Sequence, residues 1–521
     1  MSAASPDKGS SLWFVATLTL LWLAASSWLR PLMLPDEGRY VGVAWEMMTS
    51  GQWLTPTLDG LPYFHKPPLF YWITAASMAV FGQHEMAARA APLLGGTLGA
   101  VALFGFVRHW LGTREAQACL LVLLVNPLHL VGAQFSNLDM LVAGCISATI
   151  VLLAHAVLCA EQGLPYQRTL MVAYAMSALG VLAKGLIGFV LPALVVLAWL
   201  GWRRQWLGLW RLWSWAGAVL FLAITGPWFV AMQQRFPDFL DYFFIVQHFK
   251  RFAAGGFNNV QPFWFYPLLL LAFSLPWLPW AWWGSRRPEP SATAASASLR
   301  SLWWTWLAMI TLFFSLPQSK LLGYILPALP PLAALLALGC LRLDWGPVRA
   351  LRPWWALAAL PLLISALAVG WMTARPDKSA RNLALSMSAL RLPGQPVVAL
   401  WSYPFDLPFY AALESPMWVV EDWADPDIQA RDNWRKELMD AGQFAPDQAA
   451  GRLLSLAQLA PRLCAVPVAF VVASLDEPRL PDYLRTTAPL QRARVSALWR
   501  LDMSQPALIK AMGCAERPSG G

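Results

Sequence analysis

"MLPDEGRYVGVAWEMMTSGQWLTPTLDGLPYFHKPP" (residues 33–68) sets Asp36, Glu37, Arg39, His65 and Lys66 between apolar runs long enough to cross a membrane. Ionisable groups beside a bilayer are costly and therefore point to function. Two prolines follow the lysine and fix the chain just as it turns toward the next apolar run. The stretch decides the fold class because everything on either side of it is lipid-compatible and it is not.

The 521 residues are 58% hydrophobic and only 13% charged, with a mean hydropathy of +0.48. A soluble domain carries roughly 25% charged residues, so the composition requires an integral membrane protein. Thirty-one tryptophans suit membrane interfaces, where the ring is apolar and the N–H is wetted. The net charge of +9 is spread over short loops, which suits membrane orientation and anionic lipid and does not suggest nucleic acid.

The apolar runs 12–30, 87–107, 115–134, 137–160, 169–183, 186–201, 212–231, 262–283, 300–316, 321–341 and 353–373 are read as spanning helices. Most approach the ~20 residues that a crossing needs. The run before Arg30 resembles a signal sequence without a clear cleavage site and is read as a retained first helix. Residues 67–82 are short and begin with two prolines; counting them as interfacial places Arg108 with Arg114, Arg168, Arg203 with Arg204, Arg286 with Arg287, and Arg342 with Arg349 inside. That satisfies the positive-inside rule. The expectation is a polytopic α-helical membrane protein with about 11 spans, and 12 or 13 as the fallback.

This topology sends residues 31–66, Asp139, residues 232–261 and "PQSK" (317–320) to one external face. The expected division is a transmembrane domain over 1–373, with 31–86 as its first external loop and juxtamembrane helices, followed by an external α/β domain over 374–521. In the tail, "PVVAL" (396–400), "MWVVE" (417–421) and "VPVAFVVAS" (466–474) read as strands and 430–441 as a helix. Cys119, Cys145, Cys159 and Cys340 fall in apolar runs as small hydrophobes, whereas Cys464 and Cys514 in the tail are able to pair if the tail lies outside the cytoplasm.

Several residues on that face carry chemistry. Asp36 and Glu37 read either as helix-capping groups or, with Arg39 and Tyr40, as an acid–base site. Tyr63 and Lys66 read as interfacial anchors or as a holder for a lipid phosphate, with His65 between them. Asp139 opens an apolar helix after "FSN", where Ser136 and Asn137 also read as caps. "FFIVQHFKRF" (243–252) offers His248, Lys250 and Arg251 as an interfacial helix or a phosphate clamp, and Lys320 and Tyr324 are spaced to share a helical face. Six scattered histidines give no metal-ligand pattern.

In order, DE-x-R-Y, Y-F-x-K-P-P-L-x-Y-W, L-D-M, H-x-x-R-F and S-K-L-x-x-Y-I-L-P resemble the ArnT-like branch of the protein O-mannosyltransferase superfamily, over about residues 12–340. The resemblance implies a GT-C membrane glycosyltransferase with a periplasmic α/β domain in the bacterial inner membrane. It implies an inverting transfer of 4-amino-4-deoxy-L-arabinose from undecaprenyl phosphate to lipid A. Asp36 would then be the catalytic carboxylate, supported by Glu37 and Arg39, with Asp139 as a second acid near the sugar. Lys66, Tyr63, His248, Arg251, Lys320 and Tyr324 would bind donor and phosphate. Relatives commonly carry Glu where this chain has His65, so His65 is the specificity candidate and a related amino sugar, such as a hexosamine, stays open.

The chemistry stands without the family. A sugar on a lipid phosphate is already activated, so no nucleotide site is needed. Cations must stabilise the departing phosphate, and a carboxylate must face the incoming nucleophile. No cofactor is required; a divalent ion is compatible with this chemistry but not demanded by it. Two alternatives share the external face: a GT-C transferase acting on protein or polysaccharide, and a lipid-linked sugar transporter. The transporter predicts polar residues at mid-membrane and repeated or broken helices, which the sequence does not display.

Overall fold

In the computed structural model, residues 11–250, 259–288, 294–343, 352–431 and 433–514 are described. They form two compact units. The first comprises residues up to Arg30, Lys66–Ile73 and Arg89–Met372; the second comprises Pro31–His65, Thr74–Ala88 and the chain from Thr373 onward. Of the expected first loop, 31–86, Pro31–His65 and Thr74–Ala88 thus group with the C-terminal segment and Lys66–Ile73 with the first unit.

All eleven apolar runs are helical in the first unit. Five described helices are long and apolar enough to cross a bilayer, or up to seven if each bent pair is one span. Proline explains both bends. Thr113–Val125 and Pro127–Ala133 meet at 68°, and Phe265–Ser274 and Leu278–Ser285 meet at 87° around Pro276; a residue without an N–H interrupts the helical ladder. The doubtful 67–82 run is the helix Leu69–Phe81, whose 13 residues reach only about 20 Å. Trp215–Arg235 and Arg352–Thr373 are apolar yet only 22% and 28% buried, as lipid-facing helices must be.

Inside this unit, Leu138–Glu161 is buried along most of its length. It lies so close to Ala90–Trp110 that a Cβ on Gly144 would sit 2.1 Å from the Gly95 carbonyl oxygen. Small residues give membrane helices this close approach, and dispersion then replaces the hydrophobic effect. The packing fixes the helix that presents Asp139.

The second unit begins with the helix Asp36–Ser50, ended by Gly51 at φ 71°. A hairpin follows, β1 (Thr57–Leu58) and β2 (Leu61–Pro62), turning through Asp59 and Gly60, both at positive φ. Asp-Gly is the expected pair for such a two-residue turn. The C-terminal segment forms a six-stranded sheet from β3 (Val397–Leu400), β4 (Trp418–Val420), β5 (Leu453–Leu454), β6 (Val468–Ser474), β7 (Gln491–Arg492) and β8 (Ser496–Asp502). The order is β5-β4-β3-β6-β8-β7, parallel from β5 to β6 and antiparallel beyond. The three strands expected from sequence are present, and the expected helix is Trp434–Gln443. Val398, Leu400, Val471, Leu459, Leu463 and Trp499 fill the core. Cys464 and Cys514 are disulfide-bonded and tie the helix Leu456–Ala465 to the chain just after Pro506–Met512.

Candidate active site

The second unit holds the opening motif in place. Leu34 donates to the Lys378 carbonyl at 2.8 Å, and a Cβ on Gly38 would meet the Asp406 nitrogen at 2.8 Å. Asp406 is itself fixed by Ser379 and by the Ala380 amide. Pro35 occupies the cap position of the Asp36 helix and gives no side-chain cap. Asp36 does not cap; its Oδ1 accepts from Arg39 one turn on. Glu37 is fully buried, and its Oε2 accepts from the Met33 amide at 3.0 Å, bracing the approach to the helix.

Arg39 is shared. Its Nη2 reaches Asp36 and its Nη1 reaches Glu437 on the helix Trp434–Gln443. Glu437 also accepts from the Tyr63 hydroxyl at 2.9 Å, and the Tyr63 ring stacks on His65 at 4.6 Å. Burial opposes the Arg39 charge, yet the field of Glu437, with smaller contributions from Tyr40, Tyr63 and Asp36, holds its pKa well above the ordinary guanidinium value. The side chain of Asp36 remains 38% exposed, against 4% for Glu437. Asp36, Arg39 and Tyr63, all expected from sequence, are thus joined in one network by a residue the sequence reading did not single out. The result is an accessible carboxylate whose guanidinium partner also serves a second, buried acid.

The first unit holds a second cluster. Asn137 caps the helix by accepting from the Asp139 amide, and its own amide donates to Asp139 Oδ2 at 3.0 Å. Asp139 Oδ1 pairs with Lys184, the last residue of Gln167–Lys184. The Lys184 ammonium also lies 4.4 Å from the centre of the Tyr324 ring, a cation–π contact. Asp139 and Tyr324 were expected in the site; Lys184 was missed. Its signal was the lone lysine in "LAKGL", between two apolar runs.

Lys66 is half-buried before Pro67 and Pro68. Lys320 does not share a helical face with Tyr324. It lies beside the Val260–Ser319 bridge, where its amide donates to Asn259 and its ammonium to the carbonyls of Gln261 and Pro317. The 3-10 turn that carries Tyr324 starts only at Leu322. Arg251 and the side chain of His248 lie outside the described residues. Among the described residues, no three His, Cys, Asp or Glu side chains are grouped to hold a metal ion.

A further carboxylate pair in the second unit was not anticipated. Glu46 accepts from the Thr57 hydroxyl and from the amides of Asp59 and Gly60. Asp59 accepts from the Met417 amide at 2.8 Å. Burial, and then the charge of Asp59, push Glu46 up to about 8. Burial pushes Asp59 up to about 7 against the Met417 amide, the Arg452 charge and the Tyr403 hydroxyl.

Residues 65–230 match the family model described as dolichyl-phosphate-mannose-protein mannosyltransferase. A Pseudomonas fluorescens protein named undecaprenyl phosphate-alpha-4-amino-4-deoxy-L-arabinose arabinosyl transferase 2 is 34% identical over 58% of this chain and 55% of its own length. A Sodalis glossinidius protein of the same name, numbered 1, is 34% identical over 64% and 59%. The chain thus matches little more than half the length of these curated relatives. The crystal structure of ArnT from Cupriavidus metallidurans bound to undecaprenyl phosphate superposes with a TM-score of 0.76 over 97% of this chain and 99% of that one, at 24% identity. The chain has the ArnT fold. The resemblance read from the motifs is borne out, and with it the expectation of a helical membrane protein carrying a C-terminal α/β domain. In this ArnT-like chain the motif residues fall into two groups, Asp36–Arg39–Tyr63 in one unit and Asp139–Tyr324 in the other.

Proposed function

We propose that the chain is an inverting membrane glycosyltransferase. It moves aminoarabinose or a related amino sugar from undecaprenyl phosphate to a lipid A phosphate at the periplasmic face of the inner membrane. The observation that carries this reading is Asp36: an accessible carboxylate, braced by a guanidinium, in the DE-x-R-Y stretch whose pattern resembles the ArnT-like branch. The names of those relatives support the donor and the sugar. The Cys464–Cys514 disulfide supports an oxidising compartment for the tail, as the periplasm is.

In this mechanism an acceptor phosphate oxygen attacks the anomeric carbon as the bond from that carbon to the donor phosphate oxygen breaks. The bonding pair leaves with undecaprenyl phosphate. Lys66, Arg251 and Tyr324 are assigned to the departing phosphate, where cationic and hydrogen-bonding groups stabilise growing negative charge. An acceptor phosphate is already anionic, so Asp36 need not remove a proton. It orients the acceptor or stabilises positive charge on the sugar, and Arg39 holds its Oδ1. Asp139, held by Lys184 and Asn137, is assigned to the sugar, and His65, stacked on Tyr63, to sugar selection. No step requires a cofactor.

The test is the mass spectrum of lipid A from cells carrying the intact protein, Asp36→Asn or no protein. A sugar added only with the intact protein supports transfer, and its mass identifies the sugar class. Identical spectra with the donor present would refute lipid A as acceptor.

A further inference from the structure

We propose that Glu437, contributed by the C-terminal α/β domain, is a positioning residue for transfer, holding Arg39 and Tyr63 in the arrangement that leaves Asp36 available. The inference rests on the function proposed above and extends it to a residue outside every family motif quoted for this chain.

Glu437 sits in the first turns of Trp434–Gln443, a helix capped by Asn433, and its side chain is 4% exposed. A carboxylate so buried is unfavourable unless fully partnered. It accepts from Arg39 and from Tyr63, and both come from the opening motif. The same helix already has an apolar anchor on that loop, because Phe444, just past its end, meets Phe64 edge-on at 4.8 Å. Docking alone would be served by that aromatic pair and by further apolar contacts. A buried acid that selects two candidate site residues does something more.

Charge counting shows what it does. One guanidinium stands between two carboxylates, so its field is divided between them. Asp36 engages Arg39 through Oδ1 alone, and among the described residues nothing donates to its Oδ2. Without Glu437, the guanidinium is free to turn its second nitrogen to Asp36 in the bidentate fork that arginine and carboxylate favour. Both Asp36 oxygens would then be occupied. Tyr63, beside the donor phosphate in this reading, would lose the acceptor that orients its hydroxyl.

The experiment uses the full-length protein in proteoliposomes, with undecaprenyl phosphate-linked aminoarabinose as donor and lipid A as acceptor. Glu437→Gln is expected to lower kcat about ten- to a hundredfold, the scale of a misplaced reacting group, with a smaller change in KM. Glu437→Asp should recover part of that loss. Tyr63→Phe combined with Glu437→Gln should be no worse than the more damaging single change, since both break one network. Phe444→Leu is the structural control: it loosens the same helix without touching Arg39 or Tyr63, and should lower Tm with kcat within about twofold. Lys436→Ala, which removes the pair with Asp440 and a hydrogen bond to Gln429 without touching Arg39 or Tyr63, should leave kcat unchanged. A Glu437→Gln protein with the kcat of the unaltered enzyme, or a Phe444→Leu protein just as impaired, overturns the proposal. Absence of transfer by the unaltered protein, with donor and acceptor verified, overturns the function itself and this inference with it.

Discussion

At the first turn of the Asp36–Ser50 helix, a carboxylate meets a guanidinium; nearly three turns later, Glu46 meets a hydroxyl and two backbone amides. Asp36 keeps 38% of its side chain exposed, whereas burial and the neighbouring Asp59 drive Glu46 up to about 8. The same functional group on one helix therefore serves two ends. A guanidinium partner and access to solvent leave one carboxyl open to a ligand, while burial makes the other a proton-holding clasp for the β1–β2 turn. The C-terminal domain supports both: Glu437 steadies Arg39, and Met417 bonds Asp59.

The sharpest way to break this contrast is to neutralise each end in turn. Asp36→Asn should lower the rate of sugar transfer by about 10²–10⁴-fold, the range for a lost catalytic carboxylate. Glu46→Gln should leave it within a fewfold, because the amide keeps an acceptor for the turn. Equal losses in a proteoliposome transfer assay would erase the distinction. Between the two ends, Gly38→Ala tests how rigidly the helix is set. The new Cβ would meet Asp406 and Leu34 at 2.8 Å, and relieving that overlap should cost about 1–3 kcal/mol, read as a lower Tm of the detergent-solubilised protein. Thr57→Val is milder. It removes a single hydroxyl donor to Glu46 and should cost about 1 kcal/mol with transfer intact.

What the sequence made legible follows the same physics. Hydropathy over about 20 residues is a long-range average, so every apolar run became helix; the two bends were local events at Pro127 and Pro276 that an average hides. The strands of the tail were readable from their β-branched runs, but β5 and β7, two residues each, were too short to leave a pattern. Asp36, Arg39 and Tyr63 were legible because they stand out within one loop. Glu437 was not, since it lies 398 residues from Arg39 in a polar helix where an acid is unremarkable by composition. Lys320 misled because its spacing to Tyr324 assumed a helix, where the chain instead bridges to Val260. The Asp59-Gly60 pair was a legible turn signal, but its link to Glu46 required the fold.

Acid tests the Glu46–Asp59 clasp itself. Both carboxyl groups bind protons more tightly in the folded chain, Glu46 moving from 4.5 to about 8 and Asp59 from 3.8 to about 7. Between these limits the unfolded chain has released protons that the folded chain retains, so stability falls as pH rises. The contribution is fully present below about pH 4 and lost as pH climbs through 7 and 8. The Tm of the full-length protein should therefore decline from pH 5 to pH 8.5, and Glu46→Gln, which carries no proton to release, should flatten that decline. Thr57→Val should keep the decline, because it removes a donor and leaves both titrating groups in place. A Tm that instead rises over this interval, or a slope unchanged in Glu46→Gln, would mean that the clasp is ionised in the folded protein. The two ends of the helix would then differ only in their access to solvent.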